Sequence, residues 1–243
     1  ALTIAPMALS AIAVLDLQKK GQNLLMSTKR HAELEDKLLA ALAPAELSRR
    51  FLQGEKLVHN DIKEGTAMFT YISEYEEIAL RFGAKECIAW VNDVLIRLDA
   101  CVAEHSAVTK VETFNNFVLT YSAEERHVSI CLTLALQLLD AVGDVTRPDG
   151  TRTKLCIGVS SGPFTTGIIG LQSPRYSIFG DTVNTASRMA STSTPCTAVS
   201  PFVHISPSSY ALLAGPEPGW SEVAGPRLAL MQREGKTNVK GKG

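Results

Sequence analysis

The sequence lacks a charge imbalance, a paired cysteine motif and an internal repeat. Its 24 basic and 25 acidic residues give a formal net charge of −1, which offers no general electrostatic reason to expect nucleic acid as a partner. The cysteines are odd in number and lack the paired spacing of metal ligands, which indicates reduced, mostly buried thiols in a cytosolic compartment. They are Cys87, Cys101, Cys131, Cys156 and Cys196.

A hydrophobic run long enough to cross a membrane is also missing. Residues 1–15 are apolar apart from threonine and serine, but a spanning helix needs about 20 residues. Two interpretations stay open: a buried or artificially exposed helix, and the clipped end of a membrane helix. Because the chain begins with alanine and its last motif stops early, we expect a fragment of a longer protein.

Residues 16–42 are charged and helix-favouring, and they are predicted to form a helical linker. Leucines recur in this segment at a seven-residue spacing that His31 interrupts, a pattern compatible with a short parallel coiled coil. Pro44 is expected to end the helix. The chain therefore divides into an N-terminal helix or linker over residues 1–43 and one domain over residues 44–243.

The second part alternates between strand and helix patterns. With 45% hydrophobic and 20% charged residues, the chain can bury one sizeable core. Strands are predicted over residues 66–72, 108–113, 117–121, 155–160, 164–169 and 203–205, and helices over residues 74–80, 84–105 and 123–142. This order predicts an α+β fold of ferredoxin-like type, with helices on one face of the sheet. The loop over residues 145–153 is predicted to be an exposed tip.

Residues 174–191, PRYSIFGDTVNTASRMAS, are the most informative stretch. The pattern predicts a strand, a tight turn at Gly180 and a helix capped by Asp181. Asn184 and Arg188 are four residues apart and therefore project from one face of that helix. Together they offer a carboxamide and a guanidinium to a phosphate.

This stretch resembles the signature of class III nucleotide cyclases, and of their guanylate cyclase branch in particular. Three further pieces follow in the family's order: KVETFNN at residues 110–116, IGVSSGP at residues 157–163 and VKGKG at residues 239–243. The resemblance covers the chain from about residue 38 to its end. It implies the class III cyclase fold, preceded by a helical linker, and an activity that forms cyclic GMP and pyrophosphate from GTP.

The resemblance also implies an active site shared between two subunits, of which one reads the base and the other holds the metal ions. On the base side, Glu112 matches the residue that recognises guanine, since a carboxylate accepts hydrogen bonds from N1–H and the exocyclic amino group. Ser177 takes the second base-reading position, where guanylate cyclases usually have cysteine. Asn184 matches the residue that orients the ribose, Arg188 the one that holds the α-phosphate charge, and Lys240 the one that meets the terminal phosphates.

The metal side shows the opposite pattern. Tyr71 stands where the family has its first metal aspartate, and a neutral phenol is a poor magnesium ligand. Asn116 replaces the second aspartate, and Cys156 replaces an arginine. Glu74 and Glu76 add negative charge where the family's turn cradles a triphosphate.

The base-side residues are retained and the metal-side residues are replaced, so the chain is predicted to supply one half of a composite active site. A homologous partner would then supply the two aspartates and the arginine and would hold most of the Mg²⁺ or Mn²⁺. The predicted protein is a subunit of a heterodimeric guanylate cyclase that is inactive alone. It is expected to be a cytoplasmic domain, and a membrane tether through a preceding segment stays open.

A different class of function stays open from the sequence. The chain could be a non-catalytic, cyclase-like domain that pairs with another protein and regulates or scaffolds it. A diguanylate synthase of similar fold is set aside, because its characteristic glycine-rich acidic loop is missing.

Overall fold

The computed structural model describes residues 18–31, 43–114 and 116–215. Contacts divide the chain into two compact units, Ala1–Glu55 and Lys56–Gly243. In the first unit, helix α1 covers residues 18–31 and is exposed along its whole length, and helix α2 covers Ala45–Leu52. The part of the chain that the structure describes contains no helix both long and apolar enough to cross a membrane.

Several predictions for the N-terminal region fall partly outside the described residues. The predicted helix over residues 16–42 is observed over residues 18–31, and the remainder is not described. Residues 1–15 also lie outside the described part. The coiled coil therefore stays a prediction.

The second unit contains one six-stranded sheet and five helices within the described residues. Its elements run in the order β1 (Val58–Ile72), α3 (Tyr75–Arg81), α4 (Ala84–Ala103), β2 (Thr109–Phe114), β3 (Phe117–Ser122), α5 (His127–Ala141), β4 (Leu155–Ile169), β5 (Arg175–Phe179), α6 (Asp181–Ser191), β6 (Val203–Ile205) and α7 (Pro207–Ala214). The sheet order is β2-β3-β1-β4-β5, and β6 pairs with β4. All pairings are antiparallel except that of β6 with β4.

Two long central strands, β1 and β4, organise the sheet. They pair along most of their length, with an irregularity between Ile62 and Gly65. The strand β3 pairs with the second half of β1, and β5 pairs with the second half of β4. Although β2 and β5 are not paired, Cα atoms of the two strands come within 8 Å of each other.

The two faces of β4 support different helices. Leu155, Ile157 and Val159 join the main buried cluster, in which α4 and α5 pack on the sheet. The opposite face receives α6 at Gly158, where an added Cβ would lie only 1.9 Å from the backbone nitrogen of Ala190. Only glycine permits this close approach. The prediction that helices cover one face is therefore wrong for α6, which packs on the other face.

Some element boundaries also differ from the predictions. The two strands predicted over residues 155–160 and 164–169 form one strand, β4, because pairing with β1 continues through Gly162, whose φ of 146° favours glycine. The helix predicted from residue 123 begins at His127, since Arg126 adopts a left-handed conformation with φ of 64°.

Candidate active site

The signature stretch folds as a strand, a glycine turn and a helix, as its sequence predicts. Gly180, with φ of 146°, occupies the N-cap position of α6, and an added Cβ there would lie 3.2 Å from the Cα of Phe164. Asp181 is the first residue of the helix rather than its cap, so that detail of the prediction is wrong. Its carboxylate in the first turn still suits the positive end of the helix dipole.

The polar face of α6 presents Asn184 and Arg188. Asn184 is exposed and Arg188 is half-buried, whereas Val183, Ala186 and Met189 on the opposite side are buried. Within the described residues, neither the Asn184 carboxamide nor the Arg188 guanidinium forms a hydrogen bond or an ion pair. A guanidinium held on a packed helix without a protein partner is available to an anionic ligand.

Glu112 lies on β2 and faces the same side of the sheet as α6. Its partner in the β2–β3 pairing is Leu119, Leu119 lies opposite Phe69, and Phe69 lies opposite Gly158. Directly opposed residues project to the same face of a sheet, and Gly158 is where α6 packs. The half-buried Glu112 carboxylate forms no hydrogen bond or ion pair with the described residues.

Ser177 lies on β5, opposite Gly167 of β4. It is half-buried, and its side-chain hydroxyl has no hydrogen-bond partner among the described residues. The approach of β5 to β2 brings the strands of Ser177 and Glu112 side by side. The structure thus places both predicted base-reading residues in strands that approach each other without pairing.

The position predicted to correspond to the family's first metal aspartate is filled by Tyr71, whose aromatic ring contacts its neighbours. The Tyr71 ring lies 5.9 Å from the ring of Phe69 and 5.3 Å from that of Phe117, between centroids. Its hydroxyl is 3.1 Å from the Ser187 hydroxyl of α6. Tyr71 therefore connects β1 to the signature helix, in the place where the resemblance expects a metal ligand.

The other two positions predicted for the metal side, Asn116 and Cys156, lie next to Tyr71. The carbonyl oxygen of Asn116 accepts a hydrogen bond of 2.7 Å from the amide of Ile72, and Cys156 lies directly opposite Tyr71 in β4. Burial raises the pKa of the Cys156 thiol, which favours the neutral form over a metal-binding thiolate.

The donor set of this cluster does not fit a divalent cation. Mg²⁺ and Mn²⁺ prefer carboxylate oxygens, and the cluster offers a phenol, a carboxamide and a thiol. In the part of the chain that the structure describes, no three His, Cys, Asp or Glu side chains gather as a metal-binding group. These three residues therefore do not support a catalytic step through a metal ion held by this chain.

The acidic turn after β1 carries an ion pair that the sequence did not indicate. Glu74, in a left-handed conformation with φ of 59°, forms an ion pair with Arg147, whose side chain is only 5% exposed. The guanidinium also lies 3.1 Å from Asp149. The carboxylate of Glu74 is thus compensated, which corrects the expectation that it adds free negative charge to this turn; Glu76 is exposed on α3.

The loop over residues 145–153 is exposed only in part, at residues 146 and 150–152, so the prediction of an exposed tip is wrong for the rest of it. Arg147 and Thr153 are buried, and the Thr153 hydroxyl accepts a hydrogen bond of 2.9 Å from the Trp90 indole. Hydrogen bonds from Thr151, together with the nearby charge of Arg147, lower the pKa of Asp149. The loop thus carries the cation that pairs with Glu74.

Replacing Arg147 by methionine is expected to lower the free energy of unfolding by about 2 kcal/mol, because it leaves Glu74 and Asp149 without their shared cation. Urea denaturation of the whole chain would measure this change. Arg97→Met is a matched control, since Arg97 pairs with Asp93 and Asp144 at the surface and should lose less than about 1 kcal/mol. Equal losses in the two variants would contradict the role given to Arg147.

Two residues of this region were missed by sequence reasoning. Ser187 follows Asn184 by three positions, so its place on the polar face of α6 was readable from helical spacing. Arg147 had no such signal, because it lies 73 positions from Glu74. Lys240 lies outside the described residues, and its role stays a prediction.

A cavity on the other side of the sheet contains none of the predicted site residues. It has a volume of about 380 Å³ and is lined by residues of α3, α4 and β2, among them Tyr75, Val91 and Thr113. A site shared between two subunits needs no closed cavity in either of them. The geometry of α6, β2 and β5 therefore remains the stronger candidate.

Comparison with known proteins gives matches to nucleotide cyclases. The family model described as adenylate and guanylate cyclase catalytic domain matches residues 57–243. Retinal guanylyl cyclase 1 of Rattus norvegicus is 30% identical over 86% of this chain and 18% of its own length. Guanylate cyclase 32E of Drosophila melanogaster is 32% identical over 93% of this chain and 18% of its own length. The chain spans about a fifth of the length of the curated relatives it matches.

Solved structures give the same result for the fold. The guanylate cyclase domain of RhGC from Catenaria anguillulae, in complex with GTP, is 30% identical and has a TM-score of 0.57, covering 64% of this chain and 85% of that chain. The catalytic core of a rhodopsin-guanylyl cyclase with converted specificity, in complex with ATPαS, is 29% identical with a TM-score of 0.58, covering 65% of this chain and 85% of that chain.

Proposed function

Because the chain belongs to the adenylate and guanylate cyclase catalytic domain family, and shares the fold of its solved members, we propose that it is the base-binding subunit of a heterodimeric guanylate cyclase. The observation that carries this proposal is the contrast between the two halves of its site. The side chains of Glu112, Asn184 and Arg188 form no hydrogen bond or ion pair with the described residues. The Tyr71 hydroxyl, at the predicted metal position, forms a hydrogen bond with Ser187. The base side thus offers side chains that can bind a ligand, whereas the predicted metal position is occupied by a tyrosine side chain that contacts other residues of the chain.

In this proposal Glu112 and Ser177 recognise the guanine base. A carboxylate accepts hydrogen bonds from guanine N1–H and from the exocyclic amino group, whereas adenine presents an acceptor at N1 and is repelled. The Ser177 hydroxyl adds one further hydrogen bond to the base. The closeness of β2 and β5 supports joint recognition by both residues.

Asn184, Arg188 and Lys240 act on the sugar and the phosphates. The reaction is attack of the ribose 3′ oxygen on the α-phosphate, with release of pyrophosphate and closure of the cyclic nucleotide. Asn184 orients the ribose, and Arg188 stabilises the negative charge that develops at the α-phosphate. Lys240 meets the terminal phosphates, where its ammonium acts as a point charge.

The partner in this proposal is a homologous cyclase subunit that retains both metal aspartates. It would hold Mg²⁺ or Mn²⁺, which neutralise the phosphates and activate the attacking hydroxyl. The domain would work in the cytoplasm, as its five free cysteines favour. A membrane tether through a preceding segment belongs to the same proposal.

Mixing tests the proposal directly. The chain alone is expected to form no cyclic GMP from GTP with Mn²⁺, and a mixture with a homologue that has both metal aspartates is expected to be active. The homologue is assayed alone and with its own base-side arginine replaced, so that any activity of the mixture depends on this chain. Metal-dependent turnover by the chain alone would refute the half-site assignment.

A non-catalytic, cyclase-like domain that regulates or scaffolds another protein is the second candidate. The filled metal side favours it, since Tyr71, Asn116 and Cys156 cannot serve a reaction in this chain's own half. The partner's sequence discriminates the two functions. Aspartates at both of its metal positions favour catalysis, and their absence favours scaffolding.

Exchanging the base-reading groups should redirect the active mixture from GTP towards ATP. Glu112→Lys with Ser177→Asp replaces an acceptor pair for guanine by groups that match the adenine edge, so we expect the GTP-to-ATP ratio of kcat/KM to fall about 100-fold. Glu77→Lys with Ser173→Asp makes the same charge changes at exposed positions and should leave the ratio unaltered. An unchanged ratio in the first pair would remove Glu112 and Ser177 from base recognition.

A further inference from the structure

A buried hydrogen bond ties the outer strand β5 to the opposite part of the sheet. Along its backbone β5 pairs with β4 and ends the sheet order. The hydroxyl of Tyr176 on β5 lies 2.8 Å from the hydroxyl of Tyr121 on β3. This contact spans two strands that share no backbone pairing.

The two tyrosines are held tightly. Tyr121 is 8% exposed and Tyr176 is 5% exposed. The Tyr121 ring packs edge-on against Phe164 of β4, with centroids 5.3 Å apart. Burial raises the pKa of Tyr176, so its hydroxyl stays protonated at any pH at which a cyclase is assayed.

The position of this hydrogen bond relates it to the base-binding residues. Tyr176 directly precedes Ser177, so fixing the tyrosine fixes the start of the serine's backbone. Tyr121 projects from the same face of β3 as Leu119, which lies opposite Glu112 of β2. The hydroxyl pair therefore connects the strand of Ser177 to the hairpin that carries Glu112.

We propose that Tyr121 and Tyr176 are positioning residues that set the separation of Ser177 and Glu112 and thereby the preference for guanine over adenine. The inference rests on the proposed function, because it concerns the same base site. Neither tyrosine needs to touch the nucleotide. Without their hydrogen bond β5 is secured by backbone pairing on one side only, and Ser177 can shift relative to Glu112.

Phenylalanine substitutions separate this role from packing, since they remove a hydroxyl and keep the ring. In the active mixture, Tyr176→Phe and Tyr121→Phe are each expected to lower the GTP-to-ATP ratio of kcat/KM about tenfold, which corresponds to the loss of one hydrogen bond. The change should appear mainly in KM for GTP, with kcat within about twofold. The double variant should resemble the single ones, because all three lack the same bond.

Tyr210→Phe, at an exposed position on α7, is the matched control and should leave the ratio unchanged. Thermal unfolding of each variant shows whether the fold is retained. Variants with retained fold and an unaltered GTP-to-ATP ratio would overturn the inference and leave the proposed function intact. A native mixture without any turnover would overturn both.

Discussion

Replacing Arg188 by alanine is expected to lower cyclic GMP formation by the active mixture about 100- to 1,000-fold, mainly through kcat. The guanidinium lies half-buried on α6 and has no protein partner among the described residues, so its charge is available to a phosphate. An interaction that strengthens as charge develops at the α-phosphate affects kcat more than KM. Steady-state rates with GTP and Mn²⁺ would measure the loss.

Two further variants, Arg81→Ala and Arg188→Lys, serve as controls for this experiment. Arg81→Ala removes an exposed guanidinium that lies 3.9 Å from Glu77 and 5.7 Å from the centre of the Phe82 ring, and it should leave the rate unchanged. Arg188→Lys keeps the positive charge and loses the planar pair of donors, so it should recover only part of the activity. If Arg188→Ala left kcat within twofold of the native value, the proposed role of this residue would be excluded.

The fold was predictable from sequence because its elements follow local rules. The predicted class III cyclase fold is confirmed, and the hairpin of β2 and β3 appears within one residue of its predicted limits. The face of α6 that carries Asn184 and Arg188 followed from helical spacing alone. What spacing cannot tell is the face of the sheet on which a helix packs, and here Gly158 of β4 decides it.

The ion pair of Arg147 and Glu74 shows a second limit of sequence reasoning. The sequence around Arg147, with proline, aspartate and glycine following it, has the composition of an exposed turn. The observed burial depends on a carboxylate 73 positions away, and no local pattern records such a partner. Long-range pairing of this kind requires the tertiary structure.

Tyr71 illustrates the same distinction. The sequence indicates that Tyr71 cannot replace an aspartate as a metal ligand, and this follows from its chemistry alone. That its ring packs on Phe69 and Phe117 while its hydroxyl meets Ser187 follows only from the structure. Tyr71 thus contributes contacts of its own to the packing of α6 on β1.

Restoring the metal side should convert this chain into an enzyme that works without a partner subunit of another kind. Under the proposed function, the triple variant Tyr71→Asp, Asn116→Asp and Cys156→Arg would combine both halves of the composite site in one chain. Since the three positions are adjacent in the structure, the new carboxylates would lie close enough to share metal ions. We expect cyclic GMP formation by the variant alone, at least about 100-fold above the native chain.

Metal binding and turnover should then appear together. Direct titration with Mn²⁺ is expected to show binding to the triple variant and none to the native chain. A control with Tyr71→Asn and Cys156→Arg has side chains of the same size at all three positions but no carboxylate, so it should bind no metal and stay inactive. Because Tyr71 also packs on β1 and α6, thermal unfolding of both variants must show the same stability for the comparison to hold. Metal binding without turnover in a folded dimer would mean that the base side of this chain has lost its catalytic geometry, and it would favour the regulatory function over the half-site enzyme.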